Sequence, residues 1–468
     1  MANSIQKFIS EHEIWSMLEA QNDVPRQRLD DILEKARAAQ GLEPAEAAAL
    51  LLSQEPAIQE EMFRLAREIK ETIYGRRLVL FAPLYISNYC VNDCRYCGYQ
   101  RSNGEMPRRK LSQPEIAAET RALLRMGHKR IALETGEDPR HSPIEYVLEA
   151  MRTIYEVEEG KNQIRRINVN IAATTVENYR ALKQAGIGTY ILFQETYHPS
   201  SYRLMHPIGP KSDFLWHLEA MDRAIAGGID DVGIGVLFGL FDYRFEVMGL
   251  LLHARHLEQA HGVGPHTISV PRLRPADQVS LERFPYLVSD EAFRRLIAVL
   301  RMAVPYTGII LSTRERPGYR DELLSLGISQ LSTGSCTGVG GYQSPANEPA
   351  DQSTCQFGVE DHRSPEEMIR NLCENGYLPS FCTACYRSGR TGDRFMSLAK
   401  TGRIGDVCLP NALLTFKEYL LDYAGPDLRQ LGEKAIQLNL QQIQNQPIRT
   451  ATAERLSLLE AGVRDLYF

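Results

Sequence analysis

The sequence predicts an α/β protein: a (β/α)8 TIM-type barrel with a helical N-terminal segment and a mostly helical C-terminal module. Three observations predict it. Between about Leu78 and Ser332, eight short apolar or β-branched runs alternate with amphipathic stretches of helical period. Before residue 76 the apolar periodicity is helical throughout, and beyond about residue 340 the alternation stops. A barrel built this way places its chemistry on the loops that follow the C-terminal ends of its strands. An open doubly wound sheet has the same alternation, and counting strands does not prove closure.

The N-terminal segment, residues 1–75, carries helical patterns in "RLDDILEKARAA", "PAEAAALLL" and "EEMFRLAREIKETIYG". The strand candidates are 78–86, 130–135, 167–172, 189–194, 231–237, 267–271, 308–312 and 328–332. The clearest intervening helix opens at Ser112: "SQPE" is a capping box in which Glu115 reaches back to the first-turn amide, and Pro114 sits where a missing N–H costs little. Further helices are expected near 143–158, 175–185, 213–226, 243–260, 289–303 and 317–325. The polar, turn-rich "SPANEPADQSTCQFG" marks a boundary between about 340 and 375, after which helices follow without convincing strands. The chain therefore divides into 1–75, 76–340 and 341–468.

Composition excludes several function classes. Hydrophobic content of 43% and charged content of 24% are ordinary for a globular protein. A net charge of −6, with no long basic run, offers no face for nucleic acid or anionic lipid. "MANSIQKFISEHEIW" lacks the apolar core of a signal peptide, and no apolar run approaches the ~20 residues that span a bilayer, so a cytoplasmic location is expected.

Nine cysteines are many for a compartment that keeps thiols reduced, and their odd number and clustering favour metal ligation. Isolated Cys336, Cys355 and Cys373 read as small buried hydrophobes without a role. The segment "YCVNDCRYCGY" is different: Cys90, Cys94 and Cys97 lie directly after the first strand, at spacings C-x3-C and C-x2-C. A closed structural zinc site takes four ligands, and so does a [4Fe–4S] cluster with one thiolate per iron. Three thiolates leave one iron open to chelate a small molecule.

This pattern, with aromatic Tyr96 before the last cysteine, resembles the radical S-adenosylmethionine (SAM) superfamily. The resemblance implies that Cys90, Cys94 and Cys97 hold three irons and that SAM chelates the fourth, where an electron cleaves it to an adenosyl radical. It also implies that Thr135, Gly136 and Glu137 in "ETGED" receive the SAM amino group, and that Glu195 in "FQETY" takes the ribose hydroxyls. "GIGVLFG" at the fifth strand either lets backbone approach the adenine or eases barrel packing. A zinc knuckle is the structural alternative for the three cysteines.

A second set, Cys382, Cys385 and Cys408, again supplies three thiols and lies outside the barrel. With "FAPLYISNYC", "NVNIAATT", "GPHTISVPRLRP", "LSTRE" and "CTACYRSGRTGDRFM", it resembles the HydG family of radical SAM tyrosine lyases. That resemblance implies cleavage of the Cα–Cβ bond of L-tyrosine to p-cresol and dehydroglycine, the latter yielding carbon monoxide and cyanide on iron. Two [4Fe–4S] clusters follow from it, the C-terminal one carrying an additional iron, and so do other hydrogenase maturases as partners. It makes Arg314 in "STRE" the fork for the tyrosine carboxylate, where a rim salt bridge is the alternative. It makes His266 in "GPHTI" a ligand of the additional iron, although that residue opens the sixth strand, the wrong end for a catalytic face, and reads by itself as a satisfied histidine. Thr267 and Ser269 either line the cavity or pack. Competing readings are a ThiH-like lyase feeding thiazole synthesis, a non-catalytic iron–sulfur scaffold, and a zinc module on an unrelated barrel enzyme.

Overall fold

A computed structural model of the chain describes residues 8–343 and 354–468. Most of the turn-rich segment expected at the domain boundary, 344–353, lies outside the described residues. The longest strand, β1 (Arg77–Ser87), is buried along nearly its whole length, as a strand of a parallel sheet covered by helices must be. It is followed by β2 (Arg130–Thr135), β3 (Arg166–Asn170), β4 (Ile187–Ile191), β5 (Val232–Gly235), β6 (Thr267–Ser269), β7 (Gly308–Leu311) and β8 (Gln330–Ser332). All eight pair in parallel and in sequence order, and Val79, Leu80 and Phe81 of β1 pair with Gln330, Leu331 and Ser332 of β8. The sheet is therefore a closed barrel, not an open one.

The predicted helices are present between the strands. Ser112 caps the helix Gln113–Arg125 as expected, its amide donating to Glu115 Oε2 at 2.7 Å. The stretch expected as one helix over 213–226 divides into Phe214–Leu218 and Ala220–Ala226, and a short helix, Pro199–Met205, precedes it. Among the described residues the N-terminal segment forms four helices, the last being Pro56–Tyr74. Its Ile58, Met62, Leu65, Ile69 and Ile73 recur at helical spacing and are buried beside the barrel helix Asp290–Ala303.

The C-terminal part corrects the sequence reading in one respect: it is not free of strands. Leu378–Ser380 forms β9, which pairs in parallel with Arg77–Val79 at the start of β1. β2 takes that edge of β1 only from Ala82 onward, so β9 fills the seam left at the N-terminal mouth of the barrel. A three-residue strand containing Pro379 gives no periodic signal, and proline is tolerated because this is an edge. A two-residue hairpin, Glu158–Glu159 with Asn162–Gln163, was also not anticipated. Among the described residues six helices complete the chain, the longest being Gly405–Asp422, and the buried pair Arg165–Glu418 ties that helix to the start of β3. Among the described residues no helix is long and apolar enough to cross a membrane.

Candidate active site and metal centres

The loop carrying Cys90, Cys94 and Cys97 leaves the C-terminal end of β1 and is pinned to its neighbours. The Val91 amide donates to the Glu137 carbonyl at 2.8 Å, the Gly136 amide to the Ser87 carbonyl at 2.9 Å and the Arg95 amide to the Met205 carbonyl at 3.0 Å. Gly136 is glycine by necessity, since a β-carbon there would lie 2.3 Å from the Tyr89 carbonyl oxygen. The cysteine loop and the "ETGED" turn therefore interlock as one piece. None of the nine cysteines is in a disulfide. Burial raises all three loop thiols, Cys97 to about 12, so they stay protonated until a cation takes them. Three free thiols lining one cavity are a donor set whose chemistry fits iron with one position left open.

These cysteines share one cavity with Tyr96, Thr135, Gly136, Glu137, Glu195 and Arg314, so the structure brings together every residue the sequence assigned to this end of the barrel. Tyr96 is buried and its hydroxyl lies 2.8 Å from His206 Nε2. Arg314 stacks on Phe357, with its guanidinium carbon 3.3 Å from the ring centroid. Among the described residues no carboxylate lies within ion-pairing distance of it, so the rim salt bridge finds no partner. The adjacent Glu315 instead takes Arg272 and Arg274. Burial lowers Arg314 to about 10, which leaves it a cation at neutral pH with donors facing the cavity.

Three cavity residues escaped the sequence reading. Asn92, inside the cysteine loop, donates to Glu137 Oε2 at 2.6 Å and accepts from the Lys211 amide at 2.9 Å. Lys211 Nζ lies 2.8 Å from Glu195 Oε1. Burial opposes its charge most strongly, but the Glu195 carboxylate and the Cys94 and Cys97 sulfurs together hold Lys211 above its ordinary range. Burial pushes Glu134 up to about 8, with the Asn170 amide drawing it down. Glu134 and Asn92 stood within quoted motifs, but Asn92 and Lys211 meet their partners only through the fold. Ser269 lines the cavity; Thr267 packs, and a β-carbon on Gly233 would lie 2.5 Å from its hydroxyl. On Gly235 a β-carbon would lie 2.6 Å from the Phe193 ring, so these two glycines serve barrel packing.

Cys382, Cys385 and Cys408 line a second cavity together with His266, Arg77, Arg130 and Arg166. The three arginines open β1, β2 and β3, which places this cavity at the N-terminal mouth. His266 is thus not at the wrong end: the C-terminal cysteines come to it. Burial lowers His266 to about 4, so its imidazole is neutral, and its buried Nδ1 has no hydrogen-bond partner, with Asp231 Oδ1 3.6 Å away. An orphaned neutral imidazole beside three thiols fits a metal ligand. Cys408 donates to Cys385, which draws the Cys385 thiol below its ordinary range. Cys373 packs in the core, as a small hydrophobe would.

The two cavities are consecutive layers of one barrel interior. Val79, Arg130, Gly308 and Gln330 line the lower one, and two residues further along the same strands Phe81, Ala132, Ile310 and Ser332 line the upper. A two-residue step along a strand is about 6.6 Å.

The radical SAM superfamily profile matches residues 84–250, and that of the biotin and thiamin synthesis associated domain matches residues 269–378. A crystal structure of HydG, a maturase of the [FeFe]-hydrogenase, superposes with a TM-score of 0.95 at 57% identity over 99% of this chain and 100% of that one. The chain belongs to the HydG family. HydG from Carboxydothermus hydrogenoformans is similar at 41% identity and a TM-score of 0.84, over 97% of this chain and 99% of that one. 2-Iminoacetate synthase of Escherichia coli K12 is 32% identical over 349 residues, 74% of this chain and 89% of that protein. Likeness to the HydG family runs through the C-terminal part as well as the barrel, as the 99% coverage requires.

Proposed function

We propose that the chain is a radical SAM carbon–carbon lyase that cleaves the Cα–Cβ bond of L-tyrosine to p-cresol and dehydroglycine. Dehydroglycine is converted to carbon monoxide and cyanide bound on iron, for assembly of the [FeFe]-hydrogenase active site. The observation that carries this reading is a three-thiol centre at each mouth of one closed barrel, in a chain of the HydG family.

Cys90, Cys94 and Cys97 would hold a [4Fe–4S] cluster whose open iron chelates SAM. With both bound there, and one electron from an external reductant, the site would supply the radical chemistry that takes a hydrogen atom from the tyrosine amino group. Thr135, Gly136 and Glu137 receive the SAM amino group, Glu195 the ribose hydroxyls, and buried Tyr96 backs the cluster loop. Arg314, charged and without a carboxylate partner among the described residues, grips the tyrosine carboxylate bidentately. Cys382, Cys385 and Cys408 hold a second [4Fe–4S] cluster, and His266 ligates the additional iron. The shared interior excludes water and confines small products between the centres. In this reading residues 76–340 are the radical SAM barrel, 1–75 a helical brace and 341–468 the module carrying the second cluster. The partners are other hydrogenase maturases, and the site of action is the reducing cytoplasm, where free thiols persist.

The test is an anaerobic assay of cluster-reconstituted protein with SAM, L-tyrosine and a reductant. Formation of p-cresol, carbon monoxide and cyanide together is expected. The likeness to 2-iminoacetate synthase favours one second reading, a lyase that releases its product intact. p-Cresol without carbon monoxide establishes that reading instead, and absence of SAM cleavage refutes both.

A further inference from the structure

Glu195 stands in a backbone conformation that a side chain disfavours. Its φ is +67°, in the left-handed region where the β-carbon crowds the backbone. The Thr196 amide donates to the Gln194 carbonyl at 2.9 Å, which makes Glu195 the middle of a γ-turn of the rare positive-φ kind. The turn costs the chain no pairing with β5. Gln194 donates to the Gly235 carbonyl at 2.9 Å on one side, and Leu237 donates to the Glu195 carbonyl at 3.0 Å on the other. Between those anchors the Glu195 carboxylate lines the cavity, where Lys211 meets it. Strain of this kind persists only where the surroundings over-determine it.

The surroundings are one face of the helix Tyr243–His261. Glu246, Gly249 and His253 fall at i, i+3 and i+7; Glu246 receives both residues that follow Glu195, and Gly249 and His253 receive Tyr197. Glu246 is fully buried, accepting the Tyr197 amide at 2.7 Å and the Thr196 hydroxyl. Gly249 leaves room for the Tyr197 ring, since a β-carbon there would lie 2.4 Å from Cγ. His253 Nδ1 lies 2.8 Å from the Tyr197 hydroxyl. Among the described residues Glu246 has no ion-pair partner, and a carboxyl group buried without a cation is costly. Its two hydrogen bonds go instead to the segment that fixes Glu195.

We infer that Glu246 is a positioning residue for cofactor binding: by holding Thr196 and Tyr197 it keeps Glu195 in its positive-φ turn, with the carboxylate aimed at the ribose hydroxyls of SAM. This rests on the reading of Glu195 as the ribose carboxylate.

The experiment measures the dissociation constant of labelled SAM, by equilibrium dialysis on cluster-reconstituted protein, for Glu195→Ala, Glu246→Gln, Thr196→Val and the Glu195→Ala, Glu246→Gln double variant. Glu195→Ala and Glu246→Gln are each expected to weaken SAM binding by about tenfold or more, as loss of a charge-assisted hydrogen bond does. Thr196→Val should weaken it in the same direction but less, with cluster iron and the KM for tyrosine at wild-type values in all three. Because Glu246 acts through Glu195, the double variant should bind SAM no worse than Glu195→Ala alone. A Glu246→Gln protein with wild-type SAM affinity, or a double variant whose loss is the product of the two single losses, overturns the inference. So does a fall in cluster iron and tyrosine binding that matches the fall in SAM binding, the mark of a merely structural role. If Glu246→Gln does not fold, wild-type SAM affinity in Thr196→Val overturns it. Unchanged affinity in Glu195→Ala refutes the ribose reading itself, and the inference with it, at a different variant.

Discussion

Val79 lines the cavity of the C-terminal cysteines, and Phe81, two residues further along β1, lines the cavity of the first three. Side chains two apart on a strand point to the same face, so both look into the barrel. The linings of the two cavities therefore come within one two-residue step of each other along β1, about 6.6 Å.

That proximity predicts a separable defect. Ala132 lies in the upper layer directly beyond Arg130 of the lower one. Ala132→Leu adds bulk inside the barrel at a typical overpacking cost of about 1–3 kcal/mol. Its carbon monoxide per p-cresol is expected to fall several-fold while SAM cleavage persists. An unchanged product ratio in a folded variant would argue against transfer through the interior.

Arg314 is the predicted anchor for the substrate carboxylate. Arg314→Lys keeps the charge but not the fork, and its stem does not stack on Phe357 as the guanidinium does. The KM for tyrosine should rise by at least tenfold, corresponding to about 1.4 kcal/mol, with SAM affinity unchanged. Steady-state kinetics at saturating SAM reads this directly.

His266 is predicted to govern one iron. His266→Ala should lower iron content by about one per chain, leave both clusters visible by electron paramagnetic resonance, and preserve p-cresol formation while carbon monoxide falls. Equal iron content in variant and wild type would remove His266 from the ligand set.

Glu134 supplies a pH signature. Burial raises its carboxyl to about 8 from an ordinary value near 4.5. The folded state holds this proton more tightly than the unfolded chain, so the stability contributed is fully present below pH about 4.5 and is lost as pH rises through about 8. The full swing is on the order of 4–5 kcal/mol before screening by water in the cavity reduces it. Glu134→Gln should therefore gain in thermal midpoint over wild type as pH rises across that window. Parallel midpoint curves would show that Glu134 titrates normally.

The barrel was legible because its strands are buried on both faces and read as continuous apolar runs, as in "LVLFAPLYI". β9 was not, because Leu378, Pro379 and Ser380 are too few to show a period and depend on β1 for their pairing. The two cysteine sets were legible as local spacing, and Gly136 and Glu137 as part of a short motif. Lys211, Asn92 and Glu246 were invisible because each earns its place through a partner distant in sequence. The same limit made His266 look misplaced: nothing in the sequence says that Cys382, Cys385 and Cys408 return to the N-terminal mouth. Arg314 and Glu315 are chain neighbours, and only the fold shows that, among the described residues, Glu315 has ion-pair partners and Arg314 has none.

The most direct measurement compares wild type with a Cys382→Ser, Cys385→Ser double variant, quantifying p-cresol and carbon monoxide from one anaerobic reaction. The account predicts that the variant keeps p-cresol near the wild-type rate and loses carbon monoxide. Carbon monoxide at the wild-type ratio to p-cresol in that variant would contradict a division of labour between the two mouths of the barrel.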